Sequence, residues 1–166
     1  MNANEINTLF DYNYWATARI MRAALQVTPE GFSAPNTSSY GSLRGTLTHC
    51  LSAEMTWRKR LQVEQPGFVA LARDEFSTVQ ALKDAWDAEE SRMRVYLKGL
   101  KDADLNSRLE YKNSKGDVFQ NVMWGILTHL VNHGTQHRSA AAAMLTDFNH
   151  SPGDIDMIVF LRERGL

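Results

Sequence analysis

Residues 119–145, which read FQNVMWGILTHLVNHGTQHRSAAAAML, constrain the fold of this chain more than any other stretch. Apolar residues recur there every three or four positions, a spacing that predicts one long helix with an apolar face. The positions that define this face are Phe119, Met123, Ile126, Leu130, Ala140 and Met144. His133 and His137 fall on the same face one helical turn apart, so their rings can approach a common point.

A pair of histidines at this spacing has two explanations. Each ring could be a core residue bonded to a neighbour, which is the usual role of a single buried histidine. A neutral imidazole carries both a donor and an acceptor, however, so two rings on one apolar face are hard to satisfy without water or a metal ion. The stretch lacks the glutamate of an HExxH zinc motif, and the spacing alone leaves both explanations open. His129, one turn earlier and near the edge of the face, would either support a metal ligand or lie at the rim.

The rest of the chain predicts three more long helices, spanning residues 4–27, 43–62, and 74 to 97 or 100. Loops separate them. Residues 31–42 are rich in Ser, Asn, Pro and Gly, and Gln65-Pro66-Gly67 opens a second loop.

Two shorter elements complete the prediction. Residues 105–118 alternate around Leu109 and Tyr111 and then read Asn-Ser-Lys-Gly, which predicts a small β-hairpin before the histidine-bearing helix. Residues 154–164 predict a short terminal helix. Without a repeat or a dividing linker, residues 1–166 are expected to form a single all-α domain, a four-helix bundle.

Several polar or reactive residues are predicted to point into the bundle. Asn13 lies on the apolar face of the first helix, either bonded across the bundle or touching a metal-binding ring. Glu54 lies among leucines and would pair with Arg58 one turn on or orient a metal ligand. Glu90 is interpreted as a rim residue, with a place near a metal as the alternative. Cys50 is interpreted as a small apolar filler rather than a fourth ligand.

Composition narrows the choice of partners. A formal net charge of −1 without a basic run gives no field that favours nucleic acid or an acidic membrane, so neither is expected. The first residues lack the basic and apolar regions of a signal peptide, and no stretch approaches the ~20 apolar residues of a membrane span. A single cysteine excludes an intrachain disulfide. We therefore expect a cytoplasmic protein that acts on a small-molecule substrate.

Four segments resemble a known family. They are YNYWA at 12–16, GTLTH at 45–49 followed by Glu54 and Trp57, LTHLV with NHGTQHR at 127–138, and DIDMIVFL at 154–161. Together they resemble the DinB family (DinB/YfiT-like), whose members are four-helix bundles. The resemblance implies a divalent metal ion held by His49, His133 and His137. His49 depends on the resemblance alone, because helical spacing places it at the edge of the apolar face.

The resemblance also implies an activity. Relatives of the family include thiol-dependent S-transferases and isomerases that use low-molecular-weight thiols such as bacillithiol or mycothiol. Three imidazoles leave a coordination position open, as catalytic zinc sites do, and a thiol bound there would have a lowered pKa. Zinc is the default ion, and nickel, iron and manganese are alternatives because a histidine set discriminates poorly among them.

Two other functions stay open. A metal-dependent hydrolase would need a general base near the open position, for which His129, Glu54 and Glu90 are weak candidates. A metal-binding stress-response protein without catalysis is the third hypothesis.

A homodimer is also expected, from aromatic residues beyond those that one apolar face needs. Tyr12, Tyr14 and Trp15 flank the core face of the first helix, and Trp57 widens that of the second. Clustered exposed aromatics favour an interface, and a twofold pair is the commonest arrangement. The alternative is that these rings cover loops within one subunit.

Overall fold

The chain folds into a helical bundle with one hairpin. In chain order the elements are α1 (Ala3–Ala24), α2 (Pro29–Ser33), α3 (Leu43–Leu61), α4 (Val79–Lys98), β1 (Arg108–Lys112), β2 (Val118–Val122), α5 (Met123–Asp147) and α6 (Met157–Arg164). Four of the helices are long, and the strands form one antiparallel pair. The predicted bundle, with a small hairpin before the histidine-bearing helix and a short terminal helix, is confirmed.

The computed structural model describes residues 1–64 and 68–166. The predicted loop opening at Gln65-Pro66-Gly67 lies outside these residues. Within them, none of the helices combines the length and the hydropathy that crossing a membrane requires.

Side-chain caps determine where the long helices begin. Asn2 and Glu5 exchange hydrogen bonds through side chain and backbone at 2.8 and 2.9 Å, which makes a capping box for α1. Ser42 and Thr78 each accept a bond from the backbone amide three residues on, at 3.0 and 3.1 Å. Because Thr78 caps α4, the third long helix begins at Val79, and the predicted start at residue 74 is wrong.

Two other predicted boundaries are wrong. The first helix ends at Ala24 rather than at residue 27, and α2 forms inside the region predicted as turn and loop. Thr28 Oγ1 accepts a hydrogen bond from the Gly31 amide at 3.1 Å, and Pro29 occupies the first turn of α2, where its missing N–H costs nothing. The terminal helix begins at Met157 rather than at residue 154.

The hairpin takes residues that were predicted to begin the histidine-bearing helix. Phe119 pairs with Tyr111 across the two strands, and the Met123 amide donates to the Ser107 carbonyl at 2.9 Å. Helix α5 therefore starts at Met123 rather than at residue 119, and Phe119 is 45% exposed instead of belonging to the apolar face. The hairpin lies against α3, where the Tyr111 and Trp57 ring centroids are 4.9 Å apart.

Aromatic residues of α1 are covered within the chain. Tyr12 and Tyr14 are 6% and 3% exposed. Tyr12 and Trp15 pack against Phe160 of α6, with ring centroids 5.9 and 5.7 Å away. The idea that Tyr12 and Tyr14 supply surplus apolar surface is therefore wrong, because α6 and the neighbouring helices bury them.

Candidate metal centre

Helices α3 and α5 bring three histidine rings to one point. His133 and His137 project from successive turns of α5, and His49 approaches them from α3. His133 Nε2 lies 3.2 Å from His49 Nε2 and 3.1 Å from His137 Nε2. The ligand nitrogens of all three lie within 4.8 Å of one another, so the group could hold a metal ion.

Hydrogen bonding does not account for this crowding. A ring nitrogen has either one proton or one lone pair, so it forms one hydrogen bond. His133 Nε2 nevertheless has two nitrogen neighbours, and His49 Nε2 has His133 Nε2 and the Tyr40 hydroxyl, at 3.2 and 2.9 Å. Nitrogens on a tetrahedral zinc ion, each about 2.0–2.1 Å from it, lie roughly 3.3 Å apart. The donor set therefore fits a shared cation better than it fits a chain of hydrogen bonds.

Burial keeps the three rings neutral. It lowers the pKa of His49 and of His133 to about 4, and His137 lowers both pKa values further. The guanidinium of Arg73, 5.7 Å from the Tyr40 ring centroid, also lowers the pKa of His49. Burial lowers the pKa of His137 as well. At neutral pH all three rings thus keep the lone pair that a metal ion requires.

Tyr40 is a neighbour of the site that the sequence did not single out. Its ring stacks on that of His49, with centroids 3.9 Å apart. It makes a T-shaped contact with the His137 ring, with centroids 5.3 Å apart. The residue lies in a polar loop, whose composition does not distinguish it. The one feature of the sequence that relates to the position of Tyr40 is Gly45. A Cβ at Gly45 would lie 2.2 Å from the Tyr40 carbonyl oxygen. A glycine in the first turn of α3 therefore lets the Tyr40 backbone pass close to the helix.

A buried arginine network lies next to His137 on α5. Arg138, 1% exposed, donates hydrogen bonds to Asn13 Oδ1 and to Thr135 Oγ1, the latter at 3.1 Å. Gly134 makes room for this network, since a Cβ there would lie 2.6 Å from Arg138 Nη1 and 2.8 Å from Asn13 Oδ1. Asn13 points inward as predicted, but it bonds to the arginine beside His137 and has no direct hydrogen bond to a ring.

Glu54 is buried away from solvent and is bonded to Tyr14, whose hydroxyl donates to Oε1 at 2.5 Å. Burial raises the pKa of Glu54 to about 7, although the Tyr14 bond and Arg138 lower it. The predicted pairing of Glu54 with Arg58 is wrong. Arg58 instead pairs with Glu89, which is fully buried, through Nε and Oε1 at 2.6 Å.

Glu90, the other carboxylate suggested for the site, is half-buried and pairs with Arg94 at 2.7 Å. Arg94 also pairs with Asp11 at 2.6 Å. Within the described residues, each hydrogen bond of the three histidine rings goes to another ring or to Tyr40. Neither Glu54 nor Glu90 is therefore joined to the histidines.

His129 and Cys50 occupy different environments. His129 is exposed and lies beside the group, its ring centroid 5.8 Å from that of His133 and 5.7 Å from that of Trp57. Of the three suggested general bases, it alone neighbours the histidines directly. Cys50 is buried, and burial raises its thiol pKa to about 12. It remains a protonated filler at neutral pH.

Two clefts flank Trp57 next to the histidines. The first, about 350 Å³, lies between α3 and residues 68–71 and is lined by His49, Trp57 and Arg60. The second, about 340 Å³, lies between the hairpin and the start of α5 and reaches His129. Among the described residues, no aspartate or glutamate lines either cleft. Both volumes suit small molecules.

Comparisons with known proteins agree with this architecture. The family model described as the DinB family matches residues 1–164. Protein DinB of Bacillus subtilis (strain 168) is 22% identical over 157 residues, which cover 92% of this chain and 91% of that protein. The crystal structure of the conserved protein of locus from Enterococcus faecalis is similar with a TM-score of 0.65 at 13% identity, covering 82% of this chain and 92% of that chain. The likeness to that structure concerns the fold alone.

Proposed function

The chain belongs to the DinB family, and on that premise we propose that His49, His133 and His137 bind a divalent metal ion that serves thiol-dependent S-transfer. Zinc is the first candidate, followed by nickel, iron and manganese. The observation that carries the proposal is the crowding of three neutral Nε2 atoms, more than hydrogen bonding can satisfy.

Two features of the chain support a small-molecule thiol, rather than a cysteine of the protein, as the nucleophile. A divalent ion at this position would lower the pKa of a thiol bound to it. The protein's own thiol, Cys50, is buried and has a pKa of about 12, so it is a poor nucleophile. In the transfer, the sulfur of a low-molecular-weight thiol forms a bond to an electrophilic carbon. The bond from that carbon to its leaving group breaks, the leaving group takes the electron pair, and the thiol proton passes to solvent.

The charge around the site favours an anionic nucleophile. Three neutral imidazoles add no negative charge, and Arg73 lies behind Tyr40. Hydrolysis is less well supported, because a hydrolase needs a general base at the open position. Glu54 and Glu90 are engaged with Tyr14 and Arg94 instead, which leaves the exposed His129, 5.8 Å from His133 between ring centroids, as the one candidate of the three beside the group.

Metal analysis followed by a conjugation assay tests the proposal. The purified protein is expected to carry one divalent ion per chain and to conjugate chlorodinitrobenzene to at least one thiol from a panel of cysteine, glutathione, bacillithiol and mycothiol. His133→Ala should lose both properties, whereas His150→Ala, a histidine outside the group, should keep them. Hydrolysis of ester substrates without thiol would favour the hydrolase. Bound metal without either activity would favour the non-catalytic stress-response protein.

We also propose a cytoplasmic homodimer. The single buried cysteine is compatible with a reducing compartment. Half-buried Trp15 and Trp57 remain as the aromatic residues that support an interface, since Tyr12 and Tyr14 are covered. Light scattering at micromolar concentration should give twice the chain mass of 18.8 kDa. A single-chain mass that does not change on concentration would rule the dimer out.

A further inference from the structure

We propose that the cleft along α3 binds an elongated ligand whose far end is an anionic group held by Arg60, while its near end reaches the three histidines. This inference rests on the proposed function, in which the ligand is the thiol. It specifies the class of thiol: one that carries a carboxylate, or a similar anion, about three helical turns from its sulfur.

The length of the cleft follows from the helix that forms its floor. His49, Ala53, Trp57 and Arg60 all line it and succeed one another at helical spacing. His49 and Arg60 are eleven residues apart, so they lie on nearly the same face of α3 with about 16 Å of helix rise between them. Side chains lean toward the helix N-terminus, which brings the guanidinium somewhat closer to the histidines.

Among the described residues, Arg60 makes a single hydrogen bond, which leaves other N–H donors of its guanidinium for a ligand. Its guanidinium lies 4.7 Å from the Trp57 ring centroid and 4.9 Å from that of Tyr111, and one Nη2 bond goes to the Lys112 carbonyl at 2.7 Å. In the part of the chain that the structure describes, no carboxylate lies within ion-pair distance of it. A guanidinium held against aromatic rings with free donors is suited to a carboxylate or phosphate.

Arg58, on the same helix, differs from Arg60 in having ion-pair partners. It is buried and contacts two carboxylates, Glu89 at 2.6 Å and Glu64 at 3.1 Å. Arg58 therefore has its counter-charges within the chain, whereas Arg60 faces a cleft that no carboxylate of the described residues lines.

The middle of the cleft suits an uncharged segment. Ser52 and Thr56 both donate to the Val69 carbonyl, at 2.8 and 3.1 Å, so both hydroxyls are already bonded to the backbone of the opposite wall. The Trp57 ring and the side chain of Leu71 contribute apolar surface to the same cleft. A ligand that fits has a sulfur at one end, a largely apolar spacer and an anion at the other end.

A series of thiols of graded length tests this assignment by isothermal titration calorimetry of the metal-loaded protein. The probes are ω-mercaptopropionate, ω-mercaptooctanoate and ω-mercaptoundecanoate, each compared with the ω-mercaptoalkanol of the same length. The acid is expected to bind roughly tenfold tighter than the alcohol only for the long members, since a charge-assisted pair forms only when the chain spans the cleft. Arg60→Gln should remove that advantage, Arg60→Lys should keep part of it, and Lys59→Gln, which alters the adjacent cation outside the cleft, should leave it unchanged.

The outcomes separate this inference from the proposed function. Equal affinity of acid and alcohol at every length, or an acid preference that survives in a folded Arg60→Gln protein, would overturn the cleft assignment. Sulfur-to-metal charge-transfer absorption of the cobalt-loaded protein reports independently whether thiols reach the histidines. Its absence with all thiols, together with Arg60-dependent binding of plain undecanoate, would reject the thiol function and retain the anion site.

Discussion

Two groups of buried ionisable side chains lie in this bundle, and they differ in where their partners are found. Arg58 and Glu89 form a direct ion pair at 2.6 Å, and Glu54 accepts a hydrogen bond from Tyr14 at 2.5 Å. Each of these groups has a partner in another part of the same chain. The three histidines, by contrast, have mainly one another as neighbours. Two ring nitrogens, from His49 and His137, lie next to His133 Nε2.

The difference indicates which buried polar group is structural and which is a binding site. Buried charges and donors are tolerated when they are paired, and an internal partner makes the group part of the core. Among the described residues, the three histidine rings have one partner outside the cluster, the Tyr40 hydroxyl, so an external ligand can complete the group. The carboxylate network therefore belongs to the fold, and the histidine group is open to a ligand.

Removal of the shared ligands should have the largest effect on the histidine group. The double change His133→Ala with His137→Ala should abolish stoichiometric metal binding, because one remaining imidazole cannot hold the ion. This is the largest expected effect, because the whole free energy of metal binding is lost, which for zinc in zinc-finger peptides is about 10–16 kcal/mol. Elemental analysis after dialysis measures it, with His150→Ala as the control. Metal retained at one ion per chain would place the ligands elsewhere.

The next effect concerns the carboxylate network. Glu89→Ala leaves Arg58 buried without its closest partner and should lower the free energy of unfolding by about 3–5 kcal/mol. Asp87→Ala breaks the surface pair with Lys83, at 2.6 Å, and should cost at most about 1 kcal/mol. Urea denaturation of both variants measures the difference. Similar losses for the two would mean that burial does not distinguish these pairs.

The sequence predicted the histidine group better than the carboxylate network, for a physical reason. Spacing on one helix placed His133 and His137 on one face, and the family resemblance added His49. A partner across the bundle, in contrast, depends on how separate helices are rotated and placed. Periodicity gives no information about this, so it pairs Glu54 with Arg58 on its own helix and does not single out Glu89.

The fold shows the same division. Helix existence follows from apolar periodicity, and all the predicted helices are present. The boundaries depend on local competition that periodicity does not describe. Thr78 moves the start of α4 because its hydroxyl caps the helix, and Phe119 joins a strand because Tyr111 is available to pair with it.

A smaller expected effect concerns the protonation state of the buried Glu54 carboxyl group. Its pKa is about 7 when folded, above the ordinary value of 4.5, so the folded chain holds a proton that the unfolded chain releases between these two values. Stability is thus unaffected below pH 4.5 and is lost as the pH rises toward 7. Glu54→Gln, which keeps an acceptor for Tyr14, should gain stability relative to the parent by up to about 3 kcal/mol between pH 4 and pH 8.

Urea denaturation of the metal-free protein at several pH values measures this gain. The histidines titrate in both proteins, so their contribution cancels in the difference. Glu110→Gln, at an exposed position of β1, controls for the loss of one carboxylate. A stability difference that stays constant with pH would show that Glu54 is ionised in the folded state.

The smallest expected effect concerns Tyr40, the neighbour of the histidine group. The Tyr40 hydroxyl lies 2.9 Å from His49 Nε2, and in the metal-free protein it can donate to the lone pair that a metal ion would use. Tyr40→Phe should therefore destabilise the metal-free protein by about 1 kcal/mol, the net value of one hydrogen bond, without a matching loss in the metal-bound protein. Since the bond competes with the ion, the variant should bind the metal roughly fivefold more tightly. Tyr111→Phe removes a hydroxyl that bonds to Asn121 at 2.8 Å outside the group and should leave the affinity unchanged. Competition titration with a chromogenic chelator measures both variants. Weaker metal binding by Tyr40→Phe would contradict this account, because it would mean that the hydroxyl helps to hold the ion and that the chain supplies a fourth partner after all.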